Sequence, residues 1–182
     1  MCPIVLSLNY LLTFAFSFLQ WDRAVRTTKK GSSVSADAVA MTVLLDTDEG
    51  EKLVLVRQFR PPLGAYTIEL PAGLIDEGED VGAAALRELR EECGFVNSVV
   101  KSVSPPVCMS PGLTNECVCL VDVAVPKQPP GARQELDGDE AGRGLEVVLV
   151  KTAEFHDELR RLSAEGNVIM CCVYTANLFA AK

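Results

Sequence analysis

Histidine is almost absent from this chain, with His156 the single example, and none of its seven cysteines (2, 93, 108, 117, 119, 171 and 172) stands in a Cys-x-x-Cys pair. One histidine cannot build a cluster, and an odd, unpaired set of thiols signals neither a disulfide framework nor a structural zinc. A reducing compartment is the expectation. Basic charge is also scarce: 17 Lys and Arg against 25 Asp and Glu leave −8 at pH 7. That excludes sequence-independent binding to nucleic acid, which needs a basic face, so any phosphate ligand must be held by local cations. No internal repeat is visible, and 182 residues suffice for one domain with a core that needs no crosslink.

Charge is missing altogether from Pro3 to Gln20. The run PIVLSLNYLLTFAFSFLQ approaches the length of a membrane span. It has neither the basic residues that precede a secretory signal nor a small-residue cleavage site at Gln20-Trp21. Arg23, Arg26, Lys29 and Lys30 follow, so insertion would leave the remainder on the cytoplasmic side. Three readings stay open: a membrane anchor, a buried strand-rich segment, or an atypical N-terminus from an alternative start or splice. The expected division is residues 1–20 as this apolar segment and 21–182 as the folded domain.

What is present after Trp21 is an alternation of strands and helices. Residues 38–45 and 52–59 predict a hairpin about the polar turn 46–50, and Tyr66 to Leu70 a further extended piece before a loop at Pro71-Ala72-Gly73. Helix 81–93 is bracketed by Asp80 as N-cap and Gly94 as C-cap, with Gly82, Leu86, Leu89 and Cys93 on one apolar stripe. Strands are expected at 96–103, 117–125 and 145–150, an exposed loop over 126–144, and helices at 153–163, capped by Thr152, and 168–180. Strands flanking one central helix, with a helical end, indicate an α/β (α+β) fold on a mixed sheet. Cys93 and Cys108 read as buried structural thiols and His156 as exposed.

The central helix carries Arg87, Glu88, Arg90, Glu91 and Glu92. Glu88 and Glu92 lie one turn apart on the same side, with Glu91 nearby. A divalent cation would turn their repulsion into attraction, and Mg²⁺ suits such oxygen donors. Taken on their own, these residues fit a solvated charged face better, with Arg87 and Arg90 pairing to the glutamates, because charge runs on helices are usually exposed.

The longer pattern runs Gly73, five residues, Glu79, seven residues, then Arg87-Glu88-Leu89-Arg90-Glu91-Glu92-Cys93-Gly94-Phe95. It resembles the Nudix box, G-x5-E-x7-R-E-U-x-E-E-x-G-U with U apolar. Residues 54–62, 69–75 and 108–115 resemble the ADP-sugar (ADP-ribose) pyrophosphatase branch of that family, and the resemblance extends from about Trp21 to the C-terminus. It implies an α/β/α Nudix sandwich with a mixed sheet, a homodimer with shared sites, and a cytoplasmic, or also nuclear, location. The implied reaction is Mg²⁺-dependent hydrolysis, with Mn²⁺ as the alternative metal, of ADP-ribose or a related ADP-sugar to AMP and a sugar phosphate. Hydrolysis of UDP-sugars or oxidised nucleoside diphosphates is the alternative among enzymes, and the alternative from another class is a catalytically weak, nucleotide-binding Nudix variant with residues 1–20 tethered to a membrane.

Carried over by motif position, Glu88 and Glu92 with the carbonyl of Ala72 would be the metal ligands, and Glu88, Glu91 and Glu92 the catalytic set. Trp21, Arg26, Arg60, Glu69 and Leu74 would bind substrate, Trp21 by stacking on adenine and the two arginines through phosphate or ribose. Glu79 and Arg87 would be architectural. The chain departs from the family pattern in two places. The apolar run 1–20 replaces a polar strand-forming segment with a second stacking aromatic, and Arg143 stands where relatives have a glutamate proposed as base. Glu135, Asp139 and Glu140 are the acids near enough in sequence to substitute for it.

Overall fold

The computed structural model describes residues 4–6, 10–14, 17–21, 24–26, 35–127 and 144–180, and the side chains of 24–25, 35–127 and 144–176. Within the apolar start and just after it, the described backbone is extended: β1 (Ile4–Leu6) pairs antiparallel with β4 (Ala24–Arg26), and β2 (Tyr10–Phe14) with β3 (Ser17–Trp21). Among the described residues no helix is long and apolar enough to cross a membrane. β4 is tied to the body of the fold by the Ala24 amide, which donates to the Leu113 carbonyl at 2.8 Å.

The remaining strands form one mixed sheet. β5 (Ala38–Thr47) and β6 (Gly50–Arg60) make the expected hairpin, closed by Asp48-Glu49 and by Gly50 at φ 103°, a value that suits a residue without Cβ. They pair only near the turn, Val43 to Thr47 against Gly50 to Val54, and then diverge. The fork is filled by β7 (Ala65–Glu69), which pairs with β6, and β8 (Ala72–Leu74), which pairs with β5. Pro71, without an N–H for either ladder, stands where the chain changes partner, and its carbonyl accepts from the Met41 amide at 2.8 Å. Ala72 and Gly73, expected in a loop with Pro71, thus belong with Leu74 to a short strand made by pairing with β5.

Beyond β5 lie β11 (Cys117–Val125), parallel to it, and then β9 (Val99–Val103) and β10 (Val107–Cys108). β12 (Glu146–Lys151) pairs with β6, and β13 (Val168–Ile169) runs parallel to β7. Alternation along β6 sends Val54 and Val56 to one side and Leu53 and Leu55 to the other. The first side packs under α1 (Val81–Cys93), through Ala84, Ala85, Leu89 and Cys93. The second is covered by α2 (Phe155–Ala164) and α3 (Cys171–Ala180), through Phe155, Leu159, Leu162, Val173 and Ala176. Helix, sheet, helix is the three-layer α/β/α sandwich the sequence indicates.

Several boundaries differ from expectation. β9 starts at Val99 and not at Val96, because Asn97 sits at φ 58°, a left-handed position that interrupts a strand. Thr152 does not cap a helix: it opens a short 3-10 turn, Thr152–Glu154, and its hydroxyl donates to the Glu51 carbonyl at 3.2 Å. Residues 168–169, expected as helix, pair with Thr67 and Ile68 before α3 begins.

Candidate active site

The site is built on α1. Asp80, extended at ψ 159°, caps it by accepting from the Gly82 and Ala83 amides at 2.9 and 3.1 Å, and Gly94 at φ 72° ends it. The buried stripe is rotated from the expected one: Ala84 and Ala85 are fully enclosed, whereas Gly82 and Leu86 are half-buried. The helix lies against β5 and β8, and that contact brings Glu92 inside with the apolar residues.

A buried carboxylate needs a donor. Glu92 is 7% exposed, and its Oε2 accepts from the Ala72 amide at 2.9 Å. One turn earlier, Glu88 reaches over Gly73. A Cβ built at position 73 would lie 1.8 Å from the Glu88 Cδ and 2.1 Å from each of its oxygens. Glycine is required there for the close approach of a side chain, as its φ is not among the positive ones.

Arg87 holds this arrangement together. Its Nε and Nη2 form a fork on Glu79 at 3.0 and 2.9 Å, Nη1 reaches Glu88 at 2.8 Å and Glu91 at 3.1 Å, and Nη2 also donates to the Leu74 carbonyl at 2.8 Å. Such bidentate geometry is the strong form of a charged hydrogen bond. The hydrogen bonds from Arg87 hold the Glu79 carboxyl below its usual range, and those to Glu79, then to Glu88, push the Arg87 pKa up. The pairing expected of a solvated face is therefore close for Arg87 and loose for Arg90, which is exposed and reaches Glu91 at 4.0 Å.

Replacing Arg87 with Ala should cost about 2–3 kcal/mol at neutral pH, somewhat less than loss of one partner in a fully buried pair, because three carboxylates lose a shared cation. Glu79 has a lowered folded pKa, so its contribution is present above the ordinary carboxylate range and fades as pH falls through the lowered value. Urea unfolding of Arg87→Ala should thus show less loss on acidification than the parent chain. An equal loss would mean that Arg87 does not set the Glu79 ionisation.

A second charged pair lies on the same side of the sheet. Arg60 on β6 and Thr67 and Glu69 on β7 share the face that carries Val54, Val56 and α1. The Nε and Nη2 of Arg60 grip Glu69 at 2.7 and 2.6 Å, and the Thr67 hydroxyl hydrogen-bonds the same carboxylate. Those hydrogen bonds push the Arg60 pKa up against the effect of burial, with smaller contributions from the charges of Glu69, Glu92 and Glu116. Arg60 therefore sits within electrostatic reach of the α1 face.

Ala72, Gly73, Glu88, Glu91 and Glu92 are brought together, with Arg60 and Glu69 beside them. Leu74 contributes its carbonyl to Arg87, while its side chain packs with Ala38, Ala40 and Val118. Trp21 ends β3 and Arg26 ends β4, and their side chains lie outside the described residues, as do Glu135, Asp139, Glu140 and Arg143 entirely. Glu146, nearby in sequence, is exposed and pairs with Arg57 at 3.0 Å.

Cys93 is buried as expected, its thiol pushed up by burial and then by the charge of Glu92. Cys108 is exposed, contrary to expectation, because it ends the two-residue strand β10. His156 is exposed as expected and sits edge-on to Phe155. Two roles were missed in the sequence. Thr67 as a partner of Glu69 is implied by the i, i+2 spacing on a strand, whereas the cradle at Gly73 has no local signature beyond the glycine itself.

Fold and site define a three-layer protein organised around an arginine-braced acidic helix over a glycine strand. The family model for the NUDIX domain matches residues 36–163. Over 149 residues, 81% of the chain, it is 40% identical to "ADP-ribose pyrophosphatase" of Saccharomyces cerevisiae and spans 63% of that protein. It is 41% identical to "ADP-sugar pyrophosphatase" of Mus musculus, again over 149 residues, and spans 67% of it. A solved structure described as an ADP compounds hydrolase superposes with TM-score 0.49 at 20% identity, covering 86% of this chain and 83% of its own. The chain belongs to the Nudix family.

Proposed function

We propose that this chain hydrolyses the pyrophosphate bond of ADP-ribose or a related ADP-sugar, releasing AMP and a sugar phosphate. The observation that carries the reading is the acidic face of α1, with Glu88 seated on Gly73, Glu92 on the Ala72 amide, and Arg87 spanning Glu79, Glu88 and Glu91. The names of the yeast and mouse relatives point to the same bond and the same base.

The donors fit a hard divalent cation. Among the described residues no three His, Cys, Asp or Glu side chains are grouped so as to hold a metal ion by themselves, so a cation here would rest on fewer carboxylates together with a carbonyl, water and substrate oxygens. An open set of Glu88, Glu92 and the Ala72 carbonyl suits Mg²⁺, with Mn²⁺ as the alternative, because Mg²⁺ keeps several waters and takes substrate phosphate oxygens as ligands. When bound, the cation supplies neutralisation of the pyrophosphate oxygens and acidifies water for the attack. The protein's share is positioning. Glu88 and Glu92 hold oxygens at the cation site, Arg87 keeps both helix turns in register with the Ala72–Leu74 strand, and Glu91 adds charge beside them. Arg60 supplies the cation that an acidic chain needs for the substrate phosphate or ribose, Arg26 assists it, and Trp21 stacks on the base. A homodimer and a cytoplasmic location complete the reading.

The test is product analysis of the purified chain with ADP-ribose, UDP-glucose and 8-oxo-dGDP, each with Mg²⁺ and with EDTA. AMP released from ADP-ribose only when metal is present is the expected result. Turnover confined to either other substrate would move the assignment to that class, and a folded chain that cleaves none would remove the enzymatic reading.

A further inference from the structure

Within this hydrolase reading, the fork between Arg60 and Glu69 gives Glu69 a different task from the direct substrate contact that the resemblance implies. A guanidinium carries five N–H donors in one plane, arranged along edges that each fit a two-oxygen acceptor. Glu69 occupies one edge, taking Nε and Nη2 at 2.7 and 2.6 Å. The adjacent edge, made by Nη1 and the second hydrogen of Nη2, has the spacing that suits a phosphate.

The two partners are asymmetrically placed. The Glu69 side chain is 8% exposed and that of Arg60 is 46% exposed. The inner edge of the guanidinium is thus anchored in the protein and the side chain as a whole reaches solvent. The anchor is itself fixed, because the Thr67 hydroxyl bonds the Glu69 oxygen that faces Nε. Thr67 and Glu69 lie two residues apart on β7, directly across from Gln58 and Val56, so the sheet register sets all three groups. Glu92 and Glu116 add negative charge within reach of Arg60. Without a fixed partner, a long flexible arginine would be free to turn toward those carboxylates and away from a substrate phosphate.

We propose that Glu69 is a positioning residue: with Thr67 it holds the inner edge of Arg60, so that the outer edge meets a substrate phosphate. Glu69 acts through Arg60 and does not itself touch the substrate. Losing it should weaken binding throughout the reaction and leave the bond-breaking step nearly unchanged.

The experiment is a double-mutant cycle on the full chain with ADP-ribose and Mg²⁺. Glu69→Gln should raise KM by about tenfold while kcat stays within about threefold, the pattern of lost uniform binding. Arg60→Ala should raise KM at least as much, and adding Glu69→Gln to it should cause no further rise. Thr67→Val and Glu69→Asp, which keep the buried charge, should give smaller rises of about two- to fivefold and serve if Glu69→Gln does not fold. A full, additive penalty for Glu69→Gln in the Arg60→Ala background would overturn the proposal, because Glu69 would then act on the substrate by itself. An arginine Nε–H protected from exchange by about tenfold or more, followed by NMR without substrate, is expected in the parent chain and lost in both Arg60→Ala and Glu69→Gln. If no ADP-sugar is cleaved by the parent chain, the hydrolase reading falls, and the exchange measurement still decides the anchor: an unprotected Arg60 Nε–H overturns it.

Discussion

Gly73→Ala will leave a folded protein that has lost turnover of ADP-ribose by about a hundredfold or more, the range seen when one electrostatic stabiliser of a transition state is removed. The reason is steric. The added methyl carbon would stand 1.8 Å from the Glu88 Cδ, well inside any allowed contact. Two relaxations are available. β8 can lift from β5, which breaks the pairing of Gly73 with Val39 in the middle of the sheet. Alternatively the Glu88 carboxylate can swing out, which surrenders its 2.8 Å contact with Arg87 and its place on the acidic face. The second is cheaper, because a side-chain rotation costs less than lost strand pairing in a packed sheet. Circular dichroism and a thermal melt close to those of the parent chain, with kcat collapsed, are the expected pair of readings. Turnover within threefold of the parent would show that the Glu88 position does not matter to the chemistry, which would also remove Glu88 from the proposed cation site.

Glu92→Gln will lower kcat by at least about tenfold, with little change in the melting temperature. Glu92 is the most buried of the three glutamates, and its Oε2 accepts from the Ala72 amide at 2.9 Å. The glutamine amide oxygen can accept the same hydrogen bond, so the link between α1 and β8 survives while the charge does not. Alanine at this position would confuse the two effects, since it would also leave the Ala72 N–H without its partner. Titrating Mg²⁺ in the assay adds a second readout, because a lost ligand raises the metal concentration needed for half-maximal rate. Unchanged kcat and unchanged metal dependence would take Glu92 out of the site.

How much of this could be read from the chain varies with the range of the interaction. Helix α1 was legible almost to the residue, because Asp80, the apolar spacing and Gly94 act within a turn or two of one another. The same holds for the β5–β6 hairpin, whose turn residues are adjacent in sequence. Residues 72–74 and 168–169 were not legible as strands. Each is only two or three residues long and extended because a distant strand pairs with it, Ala72 with Ala40 and Val168 with Thr67. Cys108, expected inside, is exposed for a related reason, since burial of a residue on a two-residue strand depends on what lies over it.

The acidic face shows the division most clearly. Sequence alone determined that Glu88, Glu91 and Glu92 share one side of a capped helix, that Arg87 stands among them, and that a glycine precedes them at the family spacing, because helical periodicity is a property of neighbours in the chain. Packing between distant segments sets the rest: Glu88 rests on Gly73, Glu92 turns inward to the Ala72 amide 20 residues away, and Arg60 is gripped by Glu69 across a ladder. Those partners are chosen by the forked sheet, which inserts β7 and β8 between β5 and β6, and such a fork depends on pairings between strands far apart in the chain that no local pattern encodes.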